Sequence, residues 1–187
     1  MSFSAPNTAQ AVPVTFFAAL GNFENPPTGS SGTGGAFVTM DVAAHTLRVI
    51  ANFAGLTGTT TASHIHCCVA VPGGNAGVAT QTPTFSLFPL GVTSGNFDQT
   101  LDTSLASAFN PAFVTANVTV AGAEAALFAG LLAGKAYFNI HTSTSGGGEI
   151  RGFLQETPLP AALPLFATGL GALGLLTWRR KRKAIAA

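Results

Sequence analysis

Tyr137-Phe-Asn-Ile-His-Thr-Ser-Thr-Ser-Gly-Gly-Gly-Glu-Ile-Arg-Gly-Phe-Leu154 is the stretch that decides the fold. It reads as two β-strands closed by a glycine-rich turn. On the first strand Ala136, Phe138 and Ile140 share one face, while Tyr137, Asn139 and His141 share the other. On the second, Glu149 and Arg151 lie together, opposite Ile150. Ser145-Gly146-Gly147-Gly148 supplies the positive φ that a tight reversal needs. A plain hydrophobic hairpin would have no use for so many alternating polar residues.

Upstream, short strand patterns alternate with turn signals about every ten residues. Val12–Leu20 is apolar and β-rich. Residues 21–35 carry Pro26-Pro27 and a run of glycines, a composition that excludes helix and central strand. Ala36–Val42 and Thr46–Ala54 form a hairpin around His45, with Leu47, Val49, Ala51 and Phe53 pointing one way. Ser63–Val71 is a further strand, and 76–95 is an irregular stretch covering a sheet edge. Asn96–Leu101 is a weak strand, Ser104–Phe109 one helical turn, and Val114–Val120 a strand or connection. Gly122–Leu132 is the one convincing helix, stopped by Gly134. The pattern predicts an all-β protein, an antiparallel Greek-key β-sandwich with one short helix.

The chain has 187 residues, 22 of them glycine, and a mean hydropathy of +0.42. That is too apolar for disorder and too rich in glycine for a helical bundle. Its net charge of +1 conceals two unlike regions. Residues 1–156 hold all seven acids against three bases, a net charge of −4, whereas Arg179, Arg180, Lys181, Arg182 and Lys183 follow one another at the end. The acidic body has no basic face for phosphates, which argues against nucleic acid as a partner.

Residues 161–178 contain no charge. As a helix they span a hydrocarbon core of about 30 Å, with Trp178 at the interface and the basic block 179–187 held on the cytoplasmic side. The linker 156–160, Glu-Thr-Pro-Leu-Pro, precedes them. Residues 1–11 are read either as the remnant of a signal segment, ending in the small-x-small triplet Ala9-Gln10-Ala11, or as a frayed, disordered terminus.

Two resemblances follow from these residues. Pro158-Leu159-Pro160, an apolar helix rich in Gly and Leu, and a terminal Trp-Arg-Arg-Lys-Arg-Lys together resemble a PEP-CTERM sorting signal. That resemblance implies an exported protein processed near the proline motif by an exosortase. Residues 12–155 resemble the CHRD (chordin-type) domain through Phe17-Ala-Ala-Leu-Gly-Asn-Phe-Glu-Asn-Pro-Pro27, Phe53-Ala-Gly-Leu-Thr-Gly58, Ala62-Ser-His-Ile-His66 and the hairpin quoted above. It implies an immunoglobulin-like or superoxide-dismutase-like β-sandwich with no catalytic residues to carry over.

The candidate chemistry lies in three groups. His64 and His66, two apart on a strand, project from one face and can reach one ion. His141 is expected nearby on the outward polar face, so three imidazoles would suit Zn or Cu, with Glu149 or a cysteine as a fourth group. The competing reading has these rings hydrogen-bonding to carboxylates or backbone. Glu149 and Arg151 are expected to form a charge-assisted pair, or a network with His141, that pins register. Cys67-Cys68 form a vicinal disulfide if the chain leaves the strand after His66; otherwise one thiol is buried and one exposed. No nucleophile turn or pair of catalytic carboxylates is present. The expectation is a non-enzymatic surface or matrix module, tethered to the membrane by its tail, in contact with extracellular polysaccharide or matrix protein. The alternative is a metal-binding or redox protein.

Overall fold

The computed structural model describes residues 12–157. The chain divides into two units, Met1–Glu156 and Thr157–Ala187. Residues 1–11, Pro158, Pro160, the expected membrane helix at 161–178 and the block Arg179–Lys183 lie outside the described residues. Among the described residues no helix is long and apolar enough to cross a membrane.

Two antiparallel sheets form a sandwich. The larger has the order β5-β3-β2-β1-β8, built from β1 (Val14–Leu20), β2 (Thr33–Asp41), β3 (Thr46–Ala54), β5 (Gly95–Asp102) and the two-residue β8 (Gln155–Glu156). The smaller has the order β4-β6-β7, from β4 (Thr60–His66), β6 (Tyr137–Thr142) and β7 (Ile150–Phe153). Side-chain alternation explains the layering. Phe16, Ala18 and Leu20 of β1, Val38 and Met40 of β2, and Leu47, Val49 and Phe53 of β3 meet Ile65 of β4, Phe138 and Ile140 of β6 and Ile150 of β7 in one apolar core.

Three elements differ from the sequence reading. Gly34 and Gly35 lie inside β2, paired with β1 on one side and β3 on the other, so part of the glycine run is central strand. A Cβ at Gly34 would press on the Asn52 carbonyl and come 3.1 Å from Phe53 Cα, so the close pairing itself selects glycine there. β4 stops at His66 rather than Val71, because the Cys67 N–H turns away to the Gly77 carbonyl. Val114–Val120 is not strand. Its first half belongs to a helix, α1 (Pro111–Ala116), started by Pro111 and by the Asn110 side chain accepting from the Ala112 N–H.

The expected helix is present as α2 (Val120–Leu132), capped by Thr119 accepting from the Gly122 N–H and closed at Gly134, whose φ is +63°. The irregular stretch after β4 does cover a sheet edge. It runs beside β4, with the Ala79 N–H bonded to the Ile65 carbonyl and the Phe85 N–H to the Ser63 carbonyl. This covering strap is what gives the small sheet its second, polar interior.

Candidate metal centre

Register sets the polar face of the small sheet. His64 lies opposite Asn139, His66 opposite Tyr137 and Ala62 opposite His141; on the other side Arg151 lies opposite Asn139 and Phe153 opposite Tyr137. Antiparallel pairing therefore gathers all three histidines, Asn139 and Arg151 on one surface. The sequence reading has this face turned to solvent. It is instead roofed by residues 21–27 and 71–83, so that His64, His66, Asn139 and Arg151 are buried and His141 is half-buried.

The imidazoles converge. Ring centroids are 5.0 Å apart for His64 and His141, 5.8 Å for His64 and His66, and 5.9 Å for His66 and His141. One nitrogen from each ring lies within 4.8 Å of the others. His66 stacks on Tyr137 at 4.8 Å and 7°, which fixes its ring plane.

Backbone carbonyls fix the tautomers. His64 Nε2 lies 2.8 Å from the Pro83 carbonyl, His66 Nδ1 2.8 Å from the Ala76 carbonyl, and His141 Nδ1 2.9 Å from the Gly146 carbonyl. A carbonyl only accepts, so each of these nitrogens carries the proton. The remaining nitrogens, His64 Nδ1, His66 Nε2 and His141 Nε2, carry the lone pairs, and His64 Nδ1 faces His141 Nε2 at 3.1 Å. His66 Nε2 is buried with no hydrogen-bond partner. Carbonyl-anchored rings with inward lone pairs are the arrangement of histidines that ligate a metal.

Electrostatics keep the rings neutral. Burial lowers the pKa of His64 to about 4, with His141 and His66 adding to the effect against the Pro83 carbonyl. Burial likewise holds His66 and His141 below the ordinary imidazole value. Neutral rings are the form that binds Zn or Cu.

Glu149 and Arg151 do not form the expected pair. The Glu149 carboxylate accepts from the hydroxyls of Ser30 and Thr142 at 2.6 Å each, and from the N–H groups of Thr57 and Gly58 at 2.6 and 3.0 Å. Burial opposes ionisation there, but these donors outweigh it and hold its pKa at about 2. With its lone pairs taken, Glu149 is unavailable as a fourth ligand.

Arg151 faces the other way. It donates to the carbonyls of Phe23, Gly73 and Gly74 and to Asn75 Oδ1, and lies 3.7 Å from Glu24 Oε2. Its guanidinium also sits 4.6 Å over the Tyr137 ring. Arg151 thus clamps both roof loops, and with them the Ala76 carbonyl that orients His66.

Cys67 and Cys68 form a disulfide directly after β4, against Gly130 of α2, so neither sulfur is a free thiolate. Sequence reasoning missed Glu24 and the orienting carbonyls of Pro83, Ala76 and Gly146. Loop carbonyls leave no residue-type signal, and Glu24 lies in a Pro-rich loop with no periodicity. Asn139 was visible on the face of His141, but an asparagine in a strand does not announce a role.

The CHRD domain family matches residues 16–154 of the chain. No curated protein and no solved structure matches it.

Proposed function

The chain belongs to the CHRD domain family, and on that premise we propose a non-enzymatic β-sandwich module that works outside the cytoplasm. In this proposal it holds one Zn or Cu ion on His64, His66 and His141. One observation carries the metal reading: three ring N–H groups are bonded to three backbone carbonyls, leaving a lone-pair nitrogen on each of three rings that approach within 4.8 Å of one another. The ion would cross-link β4, β6 and, through the Ala76 and Pro83 carbonyls, the roof loops. In this proposal its work is structural or, for Cu, electron-carrying. Elemental analysis of the purified full-length protein tests this: one Zn or Cu per chain is expected, and none after His66→Ala. A metal-free wild type after incubation with both ions would remove the proposal.

The address rests on separate support. A disulfide between Cys67 and Cys68 suits an oxidising compartment. The sequence of residues 158–187, with its Pro-Leu-Pro, apolar run and basic block, resembles a PEP-CTERM sorting signal. In this reading the tail anchors the protein in a membrane until an exosortase-type enzyme cuts near Pro160. The module then reaches the cell envelope or a matrix of polysaccharide and protein. Mass spectrometry of the mature protein decides it: a C-terminus near Pro160 is expected, and an intact Ala187 on cytosolic protein contradicts it.

A further inference from the structure

We infer that Asn139 is the fourth ligand of this centre, giving its carboxamide oxygen to the ion held by His64, His66 and His141. The inference rests on the three-histidine reading and adds the residue that closes the coordination shell.

Asn139 stands in the middle of the polar face. His64 is its partner across β4, Arg151 its partner across β7, and His141 follows two residues on along the same face. It is 1% exposed. Yet neither Oδ1 nor Nδ2 makes a hydrogen bond. Native interiors avoid leaving both ends of a buried amide unpaired, because the group has lost its water without replacement. A ligand acting on this side chain supplies what is missing.

The two ends of the amide have different neighbours. Nδ2 lies under Gly148, where a Cβ would come 2.8 Å from it and closer still to Glu24 Oε1. Gly148 has φ +124°, a conformation that leaves this space to the two side chains. An amide NH2 turned toward a carboxylate is the attractive orientation, so Oδ1 is directed away from Glu24. The carboxamide interacts with both Glu24 and His66 while reaching hydrogen-bond geometry with neither. Its oxygen therefore belongs to the side where His66 Nε2, itself unpartnered, meets the other two lone pairs.

Chemistry narrows the alternatives. Three nitrogens and one oxygen make a four-donor shell of the kind zinc takes. The cysteine sulfurs are bonded to each other and Glu149 is saturated, so no anionic side chain among them is available as fourth donor. Glu24, 3.7 Å from Arg151, then acts as the outer partner that fixes the amide, as carboxylates do behind metal ligands.

The test loads the full-length protein with Co(II), whose visible bands are intense when four-coordinate, and measures Zn(II) affinity alongside. Wild type is expected to show the intense bands. Asn139→Ala should shift the band maximum and weaken Zn(II) binding by about tenfold or more. Asn139→Asp keeps an oxygen in place and adds charge, so it should retain the intensity, shift the maximum and tighten Zn(II) binding. Unchanged bands and affinity in Asn139→Ala overturn the assignment and leave the histidine site standing. Should that variant fail to fold, unchanged bands and affinity in Asn139→Asp overturn it equally. A wild type that binds neither ion removes both readings together.

Discussion

His64 Nδ1 faces His141 Nε2 at 3.1 Å, and because the other nitrogen of each ring donates to a carbonyl, both are acceptors in the neutral rings. Their ring protons point away, to Pro83 and Gly146. Two lone pairs held face to face in a desolvated pocket repel each other, and a cation between them turns that repulsion into attraction. Metal binding should therefore stabilise the fold. At Zn(II) a hundred times above its Kd the gain is about 2.7 kcal/mol, a rise in Tm of roughly 5 to 10 °C for a domain of this size. Differential scanning fluorimetry checks it, and His66→Ala should unfold at one temperature with or without Zn(II).

Arg151 holds the roof in place. Replacing it with methionine leaves Glu24 buried without its cation and frees three loop carbonyls. Removal of one partner from a buried ion pair costs about 3 to 5 kcal/mol. Urea unfolding of Arg151→Met should show a loss of that size. Adding Glu24→Gln to the same chain should recover part of it, because the uncompensated charge is then gone.

Glu149 makes the fold acid-sensitive in a defined window. Its pKa is about 2 when folded, against an ordinary value of 4.5. The depressed value means that its stabilisation is fully present above pH 4.5 and is lost as pH falls through 2. A shift of that size corresponds to about 3 kcal/mol. Denaturation curves between pH 5 and pH 2 should show that loss in wild type. In Glu149→Gln the stability should start lower and fall less steeply.

Gly130 reverses a helix rule. Glycine to alanine inside a helix ordinarily gains about 1 kcal/mol. At this position on α2 a Cβ would run into the sulfurs of both Cys67 and Cys68. Overpacking of this kind costs about 1 to 3 kcal/mol, so Gly130→Ala should destabilise. In a chain that also carries Cys67→Ala and Cys68→Ala the same change should be neutral or favourable, as thermal unfolding of the four chains would show.

Much of the sandwich is legible from alternation alone. Leu47, Val49, Ala51 and Phe53 point inward as their spacing requires, and His64, His66 and His141 share a face because strands have a period of two. What alternation cannot reveal is a roof. The polar face looks solvent-exposed until the loops at 21–27 and 71–83 close over it, and those loops are held by Arg151 through backbone carbonyls. The same blindness produced the expected Glu149–Arg151 pair. Residues two apart on one face are neighbours, but each carries its own loop away from the other. Gly34 misled for the opposite reason: glycine composition argues against a central strand, yet close packing on the Asn52 and Phe53 backbone of β3 demands it there.

X-ray absorption at the metal edge of the Zn(II)- or Cu(II)-loaded protein tests the three-histidine centre most directly. Ligation by His64, His66 and His141 gives a first shell of nitrogen and oxygen alone, with the outer scattering of three imidazoles and no sulfur. A sulfur shell, or scattering from fewer than three imidazoles, would contradict it.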